Sequence, residues 1–199
     1  MTGSDSTSGN YRPHAAGSTD GGLTWNPWTA LSDTGVIYGK VVSAVSPTTG
    51  EVRFAWSEST VGQWDHEIFV SGTLDGGMTC SPKENVSLSP GISWDPALAA
   101  VGDEFALAWS EAAPGYEIFF KQTTAGVWGD ATNVSSSPDA DNWSTDLEPN
   151  GDYLVLVYGE QGADRWGAYW VGYGGGEWTL PSAFANDTDS FETLLTHRR

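Results

Sequence analysis

The sequence is poor in cysteine and contains no long apolar run. Its single cysteine, Cys80, excludes an intrachain disulfide framework. No apolar stretch is long enough to span a membrane, so membrane insertion is not expected. The first ten residues contain neither the basic segment nor the apolar segment of a secretory signal peptide. We favour an extracellular protein over a cytoplasmic one, and the compartment itself stays open.

Basic residues are also scarce, with 8 Lys and Arg against 26 Asp and Glu and a formal net charge of −18. Such a chain repels phosphate backbones and anionic lipids, so neither nucleic acid nor a membrane surface is expected as a partner. The 3 histidines and one cysteine are too scattered to form a zinc pattern. The chain is instead rich in Trp (11) and Gly (25), which is typical of a turn-rich all-β protein.

A repeat with a period near 50 residues organises the chain. Three triplets recur at intervals of 50, namely Glu67-Ile68-Phe69, Glu117-Ile118-Phe119 and Gly167-Ala168-Tyr169. Each triplet follows an apolar run that ends in an aromatic residue. A further aromatic series opens each unit: Tyr38, Trp94, Trp143 and Phe191. This pattern predicts four short antiparallel strands per unit, which is the blade of a β-propeller or partial propeller.

We predict one propeller domain over residues 1–199, with blades of unequal completeness. The predicted parts are a half blade at 10–33, full blades at 35–88, 92–136 and 141–186, and the first strand of a closing blade at 190–197. Because this set lacks one second strand, three arrangements stay open. They are a four-bladed ring, a ring made from two chains, and a fragment of a larger propeller. A homo-oligomer would complete the open blades, whose unpaired edges favour pairing.

The predicted turn between the third and fourth strands carries a distinctive octet, Ser18-Thr19-Asp20-Gly21-Gly22-Leu23-Thr24-Trp25, which recurs in degraded form at 73–80. Its Ser and Asp side chains can bond nearby backbone amides, and its two glycines supply positive φ angles. We expect Trp25 to be a core residue. The octet resembles the Asp-box, or bacterial neuraminidase repeat, of the sialidase-like β-propellers. This resemblance implies a propeller fold with ligands on the face opposite the octets.

That opposite face is predicted to contain the segments between second and third strands and those between blades. The candidate ligand-binding residues in these segments are Trp64, His66, Trp94, Tyr116, Trp143, Arg165 and Trp166. Aromatic rings stack on the apolar C–H face of a sugar, and carboxylates accept hydrogen bonds from its hydroxyls. We therefore predict non-catalytic, lectin-like recognition of a glycan or another extracellular ligand. For the strand-end rings the alternative is packing between blades, since a repeat also needs repeated core residues. Trp64 and Trp166 fall outside the strand pattern and are the better ligand candidates.

Two alternative functions stay open. The resemblance implies a glycoside hydrolase, and a sialidase is expected to use three arginines, a Tyr–Glu pair and an Asp acid. Arg12, Arg53 and Arg165 do not predict an arginine triad on one face. A generic glycosidase needs only two spaced carboxylates, for which Asp65 and Glu111 are the candidates. The second alternative is a protein-interaction or assembly module whose open blade edges pair with another chain.

No cofactor is expected. Asp139 and Asp141 place oxygen ligands at alternate positions, as Ca²⁺ sites do. The full calcium-binding loop is absent, however, and Asp is also an ordinary turn former. We therefore favour a turn at this position, with Ca²⁺ as the alternative.

Overall fold

The computed structural model describes residues 2–5, 11–32, 35–60, 62–112, 114–163 and 166–186, and the regular structure in these residues is β-strand throughout. The strands are β1 (Thr2–Asp5), β2 (Arg12–Ala15), β3 (Thr29–Ala30), β4 (Gly35–Val45), β5 (Val52–Thr60), β6 (Glu67–Thr73), β7 (Glu84–Asn85), β8 (Ser93–Val101), β9 (Glu104–Ala112), β10 (Tyr116–Thr124), β11 (Val127–Trp128), β12 (Thr132–Asn133), β13 (Asp141–Asn150), β14 (Tyr153–Gln161), β15 (Trp166–Gly174), β16 (Glu177–Trp178) and β17 (Ser182–Asn186).

The strands form four antiparallel sheets that follow one another along the chain. The sheet orders are β1-β2-β3, then β4-β5-β6-β7, then β8-β9-β10 with β11 and β12 both on β10, and finally β13-β14-β15 with β16 and β17 both on β15. This confirms the predicted fold class of an all-β propeller or partial propeller with four-stranded antiparallel blades.

The first sheet contains a strand that the sequence pattern does not predict. The predicted half blade begins at residue 10, but β1 pairs with β2 on the side opposite β3. β1 therefore occupies the second-strand position that the prediction left empty. The strand predicted at 190–197 lies outside the described residues.

The central strands of the blades are buried on both faces. Phe105, Ala106, Leu107, Ala108 and Trp109 in β9 are all fully buried. A strand that is covered on both faces has a continuous apolar sequence instead of alternating apolar and polar residues. The sequence of β9 shows this continuous pattern. The apolar side chains form three successive cores between neighbouring sheets.

The first strands of the full blades pack side by side, with β8 between β4 and β13. Each of them carries an irregularity in its pairing with the next strand, located just after an aromatic residue: Tyr38, Trp94 and Trp143. In β4 and β8 the residue after the ring has a positive φ, 77° at Gly39 and 50° at Asp95. Such bulges bend a strand and redirect a side chain, which matters for the site below.

The two octets form clamped turns at the opposite end of the blades. In the first, Asp20 accepts hydrogen bonds from the amide and the hydroxyl of Thr24 at 2.9 and 2.6 Å, and Ser18 accepts one from the Gly22 amide at 2.8 Å. The hydrogen bonds that Asp20 accepts from Thr24, together with one from the Ser18 hydroxyl, lower the pKa of Asp20 to about 2. The expected burial of Trp25 is wrong. Trp25 is 45% exposed, and its indole N–H donates to the Gly22 carbonyl at 3.1 Å within the turn itself instead of packing into the core.

Candidate functional site

Seven aromatic side chains form a continuous row across the three full blades. The members of this aromatic row are Trp64, Tyr38, His66, Trp94, Tyr116, Trp143 and Trp166. From Trp64 the ring centroids lie 6.4 Å to Tyr38, 5.6 Å on to Trp94, 5.3 Å to Tyr116, 5.7 Å to Trp143 and 5.4 Å to Trp166. Offset and tilted contacts at these distances are favourable for aromatic pairs.

The blade architecture puts all seven rings at the end opposite the octets. Tyr38, Trp94 and Trp143 lie at the start of the first strands, just before the bulges. Tyr116 and Trp166 are the first residues of the third strands β10 and β15. Trp64 and His66 lie in the turn between the second and third strands β5 and β6, and this turn is at the same end of the blade.

Buried serine hydroxyls connect neighbouring blades beneath the row. Ser57 donates to the carbonyl of Ser93 at 2.8 Å, and Ser110 donates to that of Asn142 at 2.6 Å. Each acceptor directly precedes a ring of the row, Trp94 or Trp143. Ser57 of β5 and Ser110 of β9 thereby hold the backbone from which the next blade presents its ring.

The glutamates that follow these serines have a structural role. Glu58 and Glu111 are buried, and each accepts a hydrogen bond from the indole N–H of the tryptophan two residues earlier, at 2.8 and 3.0 Å. Glu58 also forms an ion pair with Lys83. A buried carboxylate needs such partners to remain charged, and the repeated Trp-Ser-Glu sequence supplies them.

Exposure along the row is uneven. Trp64 is 70% exposed and Tyr38 50%, whereas Trp94, Tyr116, Trp143 and Trp166 are half-buried. His66 is 4% exposed, among the rings of Tyr38, Trp64 and Trp94, and its buried Nδ1 has no hydrogen-bond partner. Burial lowers the pKa of His66, which the neighbouring carboxylate of Asp65 partly opposes. The imidazole is therefore expected to be neutral near pH 7.

Asp65 and Glu111, the predicted hydrolase pair, form hydrogen bonds with different residues. Asp65 is exposed and accepts a hydrogen bond from the Thr60 amide at 2.9 Å. Burial raises the pKa of Asp65, but the Thr60 hydrogen bonds outweigh this and the net pKa is lowered. Asp65 lines a cleft of about 310 Å³ with Glu58, Glu67 and other residues, and Glu111 is not part of that lining.

A larger cleft of about 590 Å³ lies in the fourth sheet and the segment that leads into it. Its lining includes Glu160, Gly167, Tyr169 and the residues 137–140. Asp139 belongs to this lining, whereas Asp141 accepts a hydrogen bond from the Tyr116 amide at 3.0 Å. Within the described residues, no three His, Cys, Asp or Glu side chains are grouped so that they could hold a metal ion. The same part of the chain forms no helix long and apolar enough to cross a membrane.

The structure brings most of the predicted ligand-binding residues together. Six of the seven predicted ligand-binding residues contact one another in it, and Arg165 lies outside the described residues. The prediction omitted Tyr38 from the ligand-binding set and gave no role to Ser57 and Ser110. The position of these residues in the repeat could have indicated their roles. Tyr38 opens its unit as Trp94 does, and each serine follows a buried tryptophan.

Comparison with known proteins identifies the fold. No family model matches the sequence, and no curated protein matches it. The structure resembles the intramolecular trans-sialidase from Ruminococcus gnavus in complex with oseltamivir carboxylate, with a TM-score of 0.59 and 10% identity over 88% of this chain. It also resembles Trypanosoma rangeli sialidase in complex with the inhibitor DANA, with a TM-score of 0.50 and 12% identity over 81% of this chain. The fold is that of a sialidase propeller. The likeness covers 64% and 31% of those two chains, so this sequence spans part of their length.

The two arginines in the described part of this sialidase-like propeller, Arg12 and Arg53, lie at opposite ends of the blades. Arg53 lies at the octet end of β5, where its guanidinium is 4.5 Å from the ring centre of Phe105 and bonds Glu51 at 2.8 Å. Arg12 begins β2 at the opposite end, and its Nε is buried without a hydrogen-bond partner. Arg53 is thus part of the packing between blades, away from the aromatic row.

Proposed function

We propose that this chain is a non-catalytic, lectin-like module that recognises a glycan through the aromatic row. The observation that carries the proposal is the continuity of the seven rings at one end of the blades. Sugars present apolar C–H faces to aromatic rings and hydroxyls to the polar groups around them. The exposed carboxylate of Asp65 and the half-buried one of Asp95 follow the rings of Trp64 and Trp94 in the chain and can accept from such hydroxyls.

The resemblance of the octets to Asp-boxes and the sialidase-like fold add support, because both belong to a superfamily that handles glycans. The two similar solved structures are described as complexes with oseltamivir carboxylate and with the inhibitor DANA. For this chain, a binding role fits better than hydrolysis by the sialidase mechanism. Arg53 already packs on Phe105. Glu111, the candidate for a generic glycosidase, already accepts from Trp109.

A glycan array probed with the purified protein, with and without Ca²⁺, tests the proposal. Selective binding by the unaltered protein is expected, together with its loss in Trp64→Ala. Trp28→Ala is the matched control, because this exposed tryptophan lies beside the first octet at the other end of the blades. A decrease of binding after chelation would point to a Ca²⁺ site near Asp139 and Asp141.

The array also separates binding from catalysis when its glycans are followed for release of products. Turnover that is lost in Asp65→Asn or Glu111→Gln would replace the binding proposal by the hydrolase alternative. A blank array from folded protein would reject glycan recognition. In that case the concentration dependence of the molecular mass, measured by light scattering, tests an assembly role.

A further inference from the structure

The aromatic row is one extended surface. If each full blade carried an independent sugar site, the rings would form three separate groups. Its rings connect from Trp64 to Trp166 through five contacts of 5.3–6.4 Å, with no gap at either boundary between full blades. The contacts at Trp94–Tyr116 and Trp143–Trp166 lie within blades, and those at Tyr38–Trp94 and Tyr116–Trp143 join neighbouring blades. Steps of this size are comparable with the width of one sugar ring.

Hydrogen bonds beneath the aromatic row hold its rings in position. The serine bonds to Ser93 and Asn142 fix the backbone directly before Trp94 and Trp143. Asn142 also donates from its side-chain amide to the Tyr116 carbonyl at 3.0 Å. A ligand therefore meets rings whose positions are already set, which reduces the entropy lost on binding.

Charge selects among glycans. The carboxylates of Asp65 and Asp95 directly follow Trp64 and Trp94 in the chain, whereas Glu117, which follows Tyr116, is buried and accepts hydrogen bonds from Ser135 and Ser137. Among the described residues, the cation Lys40 lies two residues after Tyr38 in the chain. The chain as a whole carries a formal charge of −18. An acidic glycan would be repelled by the carboxylates of Asp65 and Asp95, whereas an uncharged one would not.

We infer that the ligand is a linear, uncharged glycan whose successive sugar rings lie along the row from Trp64 to Trp166. This inference rests on the proposed function and makes it specific. It predicts that affinity grows with the number of sugar units, because each added unit covers a further ring without a second loss of translational freedom. It also predicts little dependence on salt, since no net charge is neutralised on binding.

Isothermal titration calorimetry with size-fractionated oligosaccharides tests this inference. The probes are the mono-, di-, tetra- and hexasaccharides of cellulose, xylan, mannan, chitin and galactan, with sialyllactose as the acidic comparison. For at least one neutral series, we expect the hexasaccharide to bind at least about tenfold more tightly than the disaccharide, at both low and high NaCl. Trp64→Ala and Trp166→Ala should each weaken hexasaccharide binding about tenfold and disaccharide binding much less, because a disaccharide can use the remaining rings.

The controls make each result decisive. Trp28→Ala should leave all affinities unchanged. Trp64 is 70% exposed, so Trp64→Ala should retain the near-ultraviolet circular dichroism and melting temperature of a folded protein, which keeps the test valid if Trp166→Ala does not fold. Equal affinity for short and long chains, or binding of sialyllactose alone, would overturn the inference while leaving glycan recognition standing. Absence of binding to every probe and to the array would reject the proposed function as well.

Discussion

The hydroxyl of Ser110 donates a hydrogen bond between the third and fourth sheets, to the backbone carbonyl of Asn142 at 2.6 Å. Both residues are fully buried, so water cannot replace the donor in Ser110→Ala. A buried acceptor that loses its partner costs about 1–3 kcal/mol. That loss is a large share of the roughly 5–15 kcal/mol by which a folded domain is stable. Because Asn142 precedes Trp143, we also expect the change to displace this ring and weaken glycan binding.

Equilibrium unfolding in urea, followed by tryptophan fluorescence, measures the loss of stability. With an m value of about 2 kcal/mol per molar urea, the midpoint should fall by roughly 0.5–1.5 M. Ser57→Ala removes the equivalent bond to Ser93 and should have a similar effect. Ser43→Ala changes an exposed position of β4 and should leave the midpoint unaltered. An unchanged midpoint for Ser110→Ala would refute the idea that this hydroxyl holds the neighbouring blade in place.

Three further substitutions and one titration address the core, the octet and the boundary between blades. Trp109→Ala removes a fully buried indole and the donor to Glu111, so urea unfolding should show a loss of about 3–5 kcal/mol. Trp25→Ala, at an exposed ring, should lose less than about 1 kcal/mol. The pKa of Asp20 is lowered to about 2, so its contribution to stability is present above the unfolded value of about 3.9 and lost as the pH falls through about 2. An NMR titration of its carboxyl group checks this, and a midpoint near 4 would contradict it. Burial raises the pKa of Glu67, and Glu111 adds to this, so the protein loses stability as the pH rises through the folded pKa. Glu67→Gln should therefore raise the melting temperature more at pH 7 than in acid, and an equal shift at both would exclude this explanation.

The sequence allowed the fold to be predicted because the repeat marks its strands locally. Apolar runs such as Phe105–Trp109 indicate buried central strands, and the octets indicate where third strands turn back. β1 escaped prediction because Thr2–Asp5 has no apolar alternation, and its place is set by pairing with β2 instead of by its own composition. The exposure of Trp25 was missed because the octet supplies a hydrogen bond to the indole within the turn.

The members of the aromatic row were predictable, but their contacts were not. Equivalent positions in a repeat put Trp94 and Trp143 at the same end of successive blades. Whether neighbouring rings then touch depends on the bulges and on the hydroxyl bonds of Ser57 and Ser110, which act between blades far apart in sequence. For a strand-end ring, packing between blades and contact with a ligand are compatible. A half-buried ring such as Trp94 packs on its neighbours and still leaves part of its surface to solvent.

The last full blade departs from the repeat at a position that lines a cleft. Gly167 occupies the position of Glu67 and Glu117, at the start of the third strand. The cleft lined by Glu67 measures about 310 Å³ and also contains Glu58 and its ion-pair partner Lys83, whereas the cleft lined by Gly167 measures about 590 Å³. A missing side chain at this position leaves more space and one carboxylate fewer. The interruption of the repeat at Gly167 therefore coincides with the larger of these two clefts.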